Sequence, residues 1–436
     1  SSSSAGSVRP LSDDTAAASL PGNSRARESH HTLRLGFNVG YLSDSQYYEK
    51  AFRRIAADGI LHTRFMGPFL HPQGHAAERR ENFTSALLAN VSKLMGDGAT
   101  VTLSLSDFPF DVVPDLLENP SKYLSVWPKP WQAGEPANAT LADTLRYTNR
   151  APPTRGAWAG GATLADYLVV LRKLRRLLGP SIDFEIANEP NALGYFWGDA
   201  DDFGPIADGT LSALADPSLP APPRVTCCAF ATELSCQGIP EGSDNGFMAL
   251  AHQVTARHAH AAAGRFATAL SWHFYRRVSH DSDPARSTYA NATKFYGSSA
   301  LRNSVLSEWG LSTFNSAESA ARINSPELVL ELVRALAFAA EVGLAELDAH
   351  CLMDNPHKSG HDCFFDRWGE PRASYFHYAL VARVIRGGFT VSGGGQRLTN
   401  VSGVSSGLQI LAAAGTPDGH GAAEAPFTLP PGFSLV

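Results

Sequence analysis

The chain has 436 residues and a formal charge of −6, from 36 Lys and Arg against 42 Asp and Glu. With 44% hydrophobic and 10% aromatic residues it has material for a large buried core, which excludes disorder over most of its length. The mild acidity gives no electrostatic reason to bind nucleic acid or an anionic membrane, and no apolar run approaches the ~18 residues of a membrane-crossing helix.

Residues 1–30 are rich in Ser and Ala, almost without large apolar side chains, and read as a flexible lead-in. From Leu33 onward, short apolar runs alternate with segments of helical period. The runs are Leu33–Leu42, Ile60–Met66, Ala99–Phe108, Ile182–Ala187, Arg224–Phe230, Phe266–Tyr275, Ser304–Trp309 and Ala345–Leu352. Between them, Thr163 and Asp166 make a capping box, Leu164, Leu168, Leu171, Leu174 and Leu178 form one face, and Gly179-Pro180 stops that helix. Ser325-Pro326-Glu327 opens another helix, with Leu328, Leu332, Leu336 and Ala339 at helical spacing, and Phe83, Leu87, Val91 and Leu94 mark a third. Eight strand–helix alternations predict an α/β chain, a parallel (β/α)8 barrel over 31–388, with a doubly wound open sheet as the competing arrangement. Over 389–436, the runs Phe389–Val391, Leu398–Val401 and Leu408–Leu411 predict a small or partial β appendage followed by a Pro/Gly/Ala-rich tail.

Five Asn-x-Ser/Thr sites, at Asn82, Asn90, Asn138, Asn291 and Asn400, are expected to carry glycans. The cysteines fall in two tight clusters. Pairing Cys351 with Cys363, and Cys236 with Cys228 or Cys227, leaves one free thiol. Together these features predict a secreted or cell-wall protein. Several motifs lack the context that gives them chemistry. Gly403–Gly407 matches a nucleophile elbow, yet only the adjacent Asp418 and His420 follow. Asp199, Asp201 and Asp202 lack the Glu that closes a calcium loop. His350, His357 and His361, close to Cys351 and Cys363, read as surface histidines near a disulfide loop rather than as zinc ligands. Arg172, Lys173, Arg175 and Arg176 read as a solvated helix face, and Gly393–Gly395 lacks the Lys of a phosphate loop. No metal and no cofactor are expected.

Catalytic side chains of such barrels come from the carboxyl ends of strands. The fourth run ends FEIANEPN and the seventh ends VLSEWG, so each places a Glu where an apolar strand gives out. Two facing carboxylates, one protonated and one ionised, are what glycosidic bond cleavage needs. The string Asn188-Glu189-Pro190 after the fourth run, with Glu308 on the seventh, resembles the large clan of retaining (β/α)8 glycoside hydrolases. FEIANEPN is most similar to family 79, the heparanase and β-glucuronidase group, and next to family 39. The sixth run, Ser271-Trp272-His273-Phe274-Tyr275, resembles the Trp-His-x-Tyr strand of the heparanase group. Thr63-Arg64-Phe65 resembles the Arg that ends the second strand in many clan members.

This resemblance implies an oligosaccharide, polysaccharide or glycoconjugate substrate, cleaved by a monomer through double displacement. Glu189 takes the acid/base role, which needs a raised pKa of the kind partial burial near Glu308 can supply, and Glu308 is the nucleophile. Asn188 would bind the sugar 2-hydroxyl, His273 would orient the acid/base, and Arg64 and Tyr275 would hold Glu308 ionised. Asn38 and Trp309 complete the expected site. A β-glucuronidase or heparanase-like activity leads. The alternatives are a neutral-sugar β-glycosidase of the β-xylosidase kind and a catalytically silent carbohydrate-binding barrel.

Overall fold

A computed structural model of the chain describes residues 32–41, 46–66, 88–105, 164–178, 182–191, 200–231, 265–277, 296–312, 326–354, 363–385, 389–392 and 397–400, with short pieces of 249–258 and residues 292–293. Eight strands appear in chain order: β1 Arg34–Tyr41, β2 His62–Met66, β3 Thr100–Leu105, β4 Ile182–Ile186, β5 Arg224–Ala231, β6 Ala267–Arg277, β7 Val305–Ser312 and β8 Glu346–His350. Each pairs in parallel with the next, and β8 pairs back onto β1, with Arg34 opposite Glu346 and Asn38 opposite His350. That closure rules out the open sheet. β9 Phe389–Ser392 and β10 Arg397–Asn400 form an antiparallel two-stranded sheet, the described part of the appendage.

Period-two alternation divides each strand between two surroundings. Residues such as Phe37, Phe65, Phe184, Trp272 and Leu347 belong to the buried apolar core that helical residues also build. Phe37 packs 4.9 Å from the ring of Tyr378 on helix Ala373–Ile385, and Trp272 lies 6.1 Å, edge-on, from Phe338 on helix Pro326–Val342. That second helix starts at the Pro its sequence predicts. Arg175 departs from expectation: it is fully buried rather than solvated. Its neighbour Leu174 carries the apolar face, and turning that face inward takes Arg175 along, its Nε donating to Pro220 O at 2.7 Å and its guanidinium 5.5 Å from the Phe184 ring.

The other half of the alternation is unusual, because the barrel interior is polar where large aliphatics commonly fill it. At the amino-terminal end, Arg34, His62, Asp183, Arg224, Glu346 and Asp348 gather from five strands. Arg34 and Arg224 both donate to Asp183, at 3.1 and 3.0 Å, and both reach Glu346. His62 Nδ1 is 2.7 Å from Thr100 Oγ1. Its Nε2 stands 3.0 Å from Glu346 and 3.6 Å from Asp348, close enough for charge attraction but outside hydrogen-bond geometry. Gly36 makes the packing possible, since a Cβ there would fall 2.2 Å from Asp348 Oδ1 and 2.6 Å from the His62 ring. With His62 protonated, three cations face three carboxylates.

Burial, aided by Glu346 and opposed by His62, pushes Asp348 up to about 7, while the pull of Glu346 and Asp348 raises His62 against the opposing effects of burial and Arg34. Both groups therefore hold protons in the folded state that the unfolded chain has released. The stability this gives is present at acid pH and is lost as pH rises through the folded values. Melting temperature should fall by several degrees between about pH 5 and pH 8, and Asp348→Asn should flatten that fall. Parallel melting profiles for wild type and Asp348→Asn would refute this account of the barrel floor.

Candidate active site

At the opposite, carboxyl-terminal end, nine side chains from six strands converge: Asn38, Arg64, Glu185, Asn188, Glu189, His273, Tyr275, Glu308 and His350. Arg64 lies at the centre and is fully buried. Its Nε donates to Glu185, its Nη1 to Glu308 Oε1 at 2.7 Å, and its Nη2 to Asn188 Oδ1 at 2.8 Å. One guanidinium thus ties β2 to β4 and β7. The planar fork suits this task as a lysine would not.

Glu308 is gripped at both oxygens. Asn38 Nδ2 donates to Oε1 at 2.5 Å beside Arg64, and the Tyr275 hydroxyl donates to Oε2. Burial alone would push its pKa up. The charges of His273, of His350 where it is protonated, and of Arg64, with the Tyr275 hydrogen bond, outweigh burial and hold Glu308 well below the usual carboxylate range. Glu308 lies within β7 rather than at its end, because the strand runs on to Ser312. Pairing is irregular on both sides here, between Trp272 and His273 of β6 and between Leu306 and Trp309 of β7. This bulge aims an interior side chain at the mouth.

Glu189 sits three residues past β4, on a backbone bent by positive φ at Ala187 (64°) and Glu189 itself (47°). Such conformations cost on the order of 1 kcal/mol or more each for a non-glycine residue, so the surroundings must enforce them. Ser104 Oγ donates to Ala187 O at 2.9 Å, and Glu189 N donates to Ala229 O at 2.9 Å. Asn191 completes the clamp by exchanging two hydrogen bonds with the Ala231 backbone, at 2.9 and 3.0 Å. Glu189 Oε1 is then 2.8 Å from His273 Nδ1, which is itself 3.5 Å from Glu308 Oε2. One donor atom from each of Glu189, His273 and Glu308 lies within 4.8 Å of the others.

Of the expected residues, Asn38, Arg64, Asn188, Glu189, His273, Tyr275 and Glu308 come together. Trp309 does not. It is fully buried in the apolar core, because adjacent strand residues point to opposite faces and Glu308 takes the inner one. Cys228 meets Cys227 in the structure rather than Cys236, the two being consecutive on β5; Cys236 lies outside the described residues. Cys351 and Cys363 are joined as expected, with Cα atoms 4.5 Å apart. Asn90 is exposed on a helix, Asn400 ends β10, and Asn82, Asn138 and Asn291 lie outside the described residues, as do residues 1–30, Gly403–Gly407 and His357 and His361. Sequence reading missed Glu185 and misplaced His350. Each follows the interior column of its strand, Asp183-x-Glu185 on β4 and Glu346-x-Asp348-x-His350 on β8, and that two-residue spacing was the available signal.

Among the described residues two donor sets have the proximity a metal ion needs: the upper trio just described, and His62 with Glu346 and Asp348 on the floor. In the upper set both Glu308 oxygens already accept hydrogen bonds, so an ion would displace Arg64 or Tyr275. On the floor the cations Arg34 and Arg224 already reach Glu346, so a divalent ion there would add charge to a buried site that holds two guanidinium groups.

No family model and no curated protein matches the chain. In structure the chain is similar to exo-β-1,4-mannosidase Op5Man5 from Opitutaceae bacterium strain TAV5, at 13% identity and a TM-score of 0.47, covering 80% of this chain and 59% of that one. It is also similar to the endo-β-1,4-glucanase Xac0029 from Xanthomonas axonopodis pv. citri, at 10% identity and a TM-score of 0.46, covering 81% and 99%. A third similarity is to Xyn30A, a glycoside hydrolase family 30 subfamily 8 xylanase from Clostridium acetobutylicum, at 11% identity and a TM-score of 0.43, covering 84% and 75%. None of these likenesses assigns an activity or a sugar to this chain; its own side chains have to.

Tyr275→Phe keeps the ring and removes the hydroxyl that lowers the Glu308 pKa. A carbon-13 NMR titration of labelled glutamate carboxyls should then show Glu308 ionising at higher pH, with a melting temperature within a few degrees of wild type. An unmoved Glu308 titration would reduce Tyr275 to packing.

Proposed function

We propose that this chain is a retaining glycoside hydrolase with Glu308 as nucleophile and Glu189 as acid/base. The observation that carries this reading is the approach of Glu189, His273 and Glu308 within 4.8 Å. An approach of single carboxyl oxygens within that distance fits the ~5–5.5 Å group separation of direct displacement better than the ~6.5–9.5 Å of an inverting pair. The electrostatics divide the labour. Glu308, held ionised by Arg64 and Tyr275, attacks the anomeric carbon. As the glycosidic bond breaks, Glu189 gives its proton to the departing oxygen, and a glycosyl ester forms on Glu308. Glu189 then takes a proton from water, the water oxygen attacks the anomeric carbon, and Glu308 leaves as a carboxylate.

Supporting groups follow from their contacts. Because Asn188 gives its Oδ1 to Arg64, its amide NH₂ is the end presented to a sugar 2-hydroxyl. His273 fixes the direction of Glu189 through the 2.8 Å hydrogen bond. A silent carbohydrate-binding barrel would have no use for an ionised carboxylate at the mouth of its cleft beside a second carboxyl group.

The leading expectation for the sugar, a glucuronide as in the heparanase group, requires a positive charge or backbone donors for the substrate carboxylate. Among the described side chains Arg64 is engaged by Glu185, Glu308 and Asn188, and burial, joined by His273 and Arg64 and opposed by Glu308 and Glu189, lowers the His350 pKa and so disfavours a cation there. These observations favour a neutral glycoside. We keep secretion and glycosylation in the same proposal, supported by the Cys351–Cys363 disulfide and the exposed Asn90. Enzymatic removal of N-glycans from exported protein should lower its mass; no change would withdraw glycosylation.

Product released from an aryl glycoside should keep its anomeric configuration when followed by proton NMR, and an inverted product would contradict the mechanism. Glu189→Ala should lose ~10³-fold on poor leaving groups and far less on dinitrophenyl glycosides, which need little protonation. Glu308→Gly should be inactive with all of them, and azide should restore turnover as a glycosyl azide of inverted configuration. Equal losses on both leaving groups in Glu189→Ala would mean the roles are wrongly divided.

A further inference from the structure

Among the described residues of the mouth cluster, His350 is the one that makes no hydrogen bond to the others and carries no proton in that mechanism. It ends β8, beside Asn38 of β1 and facing Glu308 of β7, with its side chain one-third exposed. Its Nδ1 is buried, 3.8 Å from Glu308 Oε2, beyond hydrogen-bond reach, and has no hydrogen-bond partner among the described residues. The ring is nonetheless firmly placed. It stands edge-on to Tyr275, with centroids 5.7 Å apart and planes at 87°. The next residue, Cys351, is tied to Cys363, and Leu352 N donates to Asn38 O at 2.9 Å. Gly310 keeps the neighbouring strand clear, since a Cβ there would lie 3.2 Å from His350 O. An imidazole this well fixed, with one-third of its side chain exposed at the mouth, is placed to meet something that enters the cleft.

Barrel geometry indicates which part of the sugar arrives there. In a closed ring of eight strands, β8 lies opposite β4. Asn188 follows β4, and His350 ends β8. In a pyranose ring the atom opposite C2 is C5. A sugar that presents C1 to Glu308 and its 2-hydroxyl to Asn188 therefore turns its C5 edge toward β8. This step rests on the glycosidase reading above. We propose that His350 reads the C5 substituent: its imidazole hydrogen-bonds the hydroxymethyl group of a neutral hexose and disfavours both the bare C5 of a pentose and the carboxylate of a uronic acid. A pentose leaves the exposed part of the imidazole without that hydrogen bond, which a site built for a hydroxyl penalises. A uronate carboxylate would lie beside ionised Glu308 with no compensating cation from His350, whose pKa burial holds down.

Aryl β-hexosides, pentosides and uronides that differ only at C5, in gluco and galacto configurations, test this directly. Wild type should favour the hexoside over its pentose counterpart by on the order of 10²-fold in kcat/KM, with the uronide lower still. His350→Phe, which keeps a ring without its nitrogens, should lose ~30- to 100-fold on the hexoside and much less on the pentoside, so that the ratio falls at least tenfold. His350→Gln, a safer substitution for folding, should retain part of the ratio. An unchanged hexoside-to-pentoside ratio in both variants, or a wild-type preference for the uronide, would overturn the assignment while leaving the glycosidase reading intact. Turnover of none of the panel by wild type would bring down that reading as well.

Discussion

Arg64 is a full positive charge buried from solvent, and much of the upper barrel is arranged around it. Removing such an ion from solvent is expensive, and only several well-directed partners compensate. Glu185, Glu308 and Asn188 supply them from two other strands. The same contacts set the orientation of everything a substrate would meet: Glu308 is turned toward the mouth, and Asn188 has one end of its amide consumed and the other presented. Loss of one partner would leave buried charge uncompensated, which typically costs about 3–5 kcal/mol. Stability and site geometry therefore rest on one set of hydrogen bonds.

This arrangement follows from filling the barrel with polar side chains in layers. The floor joins Arg34, His62, Asp183, Arg224, Glu346 and Asp348, and the mouth joins Asn38, Arg64, Glu185, Tyr275 and Glu308. Apolar burial is left to the outer faces of the strands and the helices that cover them. Each polar layer is a network that crosses the barrel, so a small change in strand register would unpair several buried charges at once. The irregular pairing around Glu308 is tolerated where it places the carboxylate in reach of Asn38, Arg64 and Tyr275 together.

The barrel was legible in the sequence because strand and helix periods alternate eight times, and only ring closure needed coordinates. Glu189, Glu308, Arg64, His273 and Tyr275 were legible because they lie at or near predicted strand ends in an order that resembles known glycosidases. Period two says which residues share a face, but not which face is inside until the sheet closes. Glu185 and the floor charges stayed hidden for that reason, as they sit in strands that otherwise read as apolar. Trp309 is adjacent to Glu308, and adjacency in a strand means opposite faces, which puts Trp309 in the core. His350 was read with the cysteine loop that follows it, where β8 in fact ends with its ring facing Glu308. Arg175 was grouped with charged neighbours, yet the leucine face beside it decided its burial.

The claim on which the account depends is that Glu308 becomes covalently attached to the sugar. A 2-deoxy-2-fluoro glycosyl fluoride, in gluco and galacto configurations, slows release of such an ester enough to collect it. Mass spectrometry of the trapped protein should show one equivalent of sugar, and its peptide map should place that mass on Glu308. Sugar found on Glu189, or an active enzyme that never accumulates an adduct and inverts its products, would contradict the account.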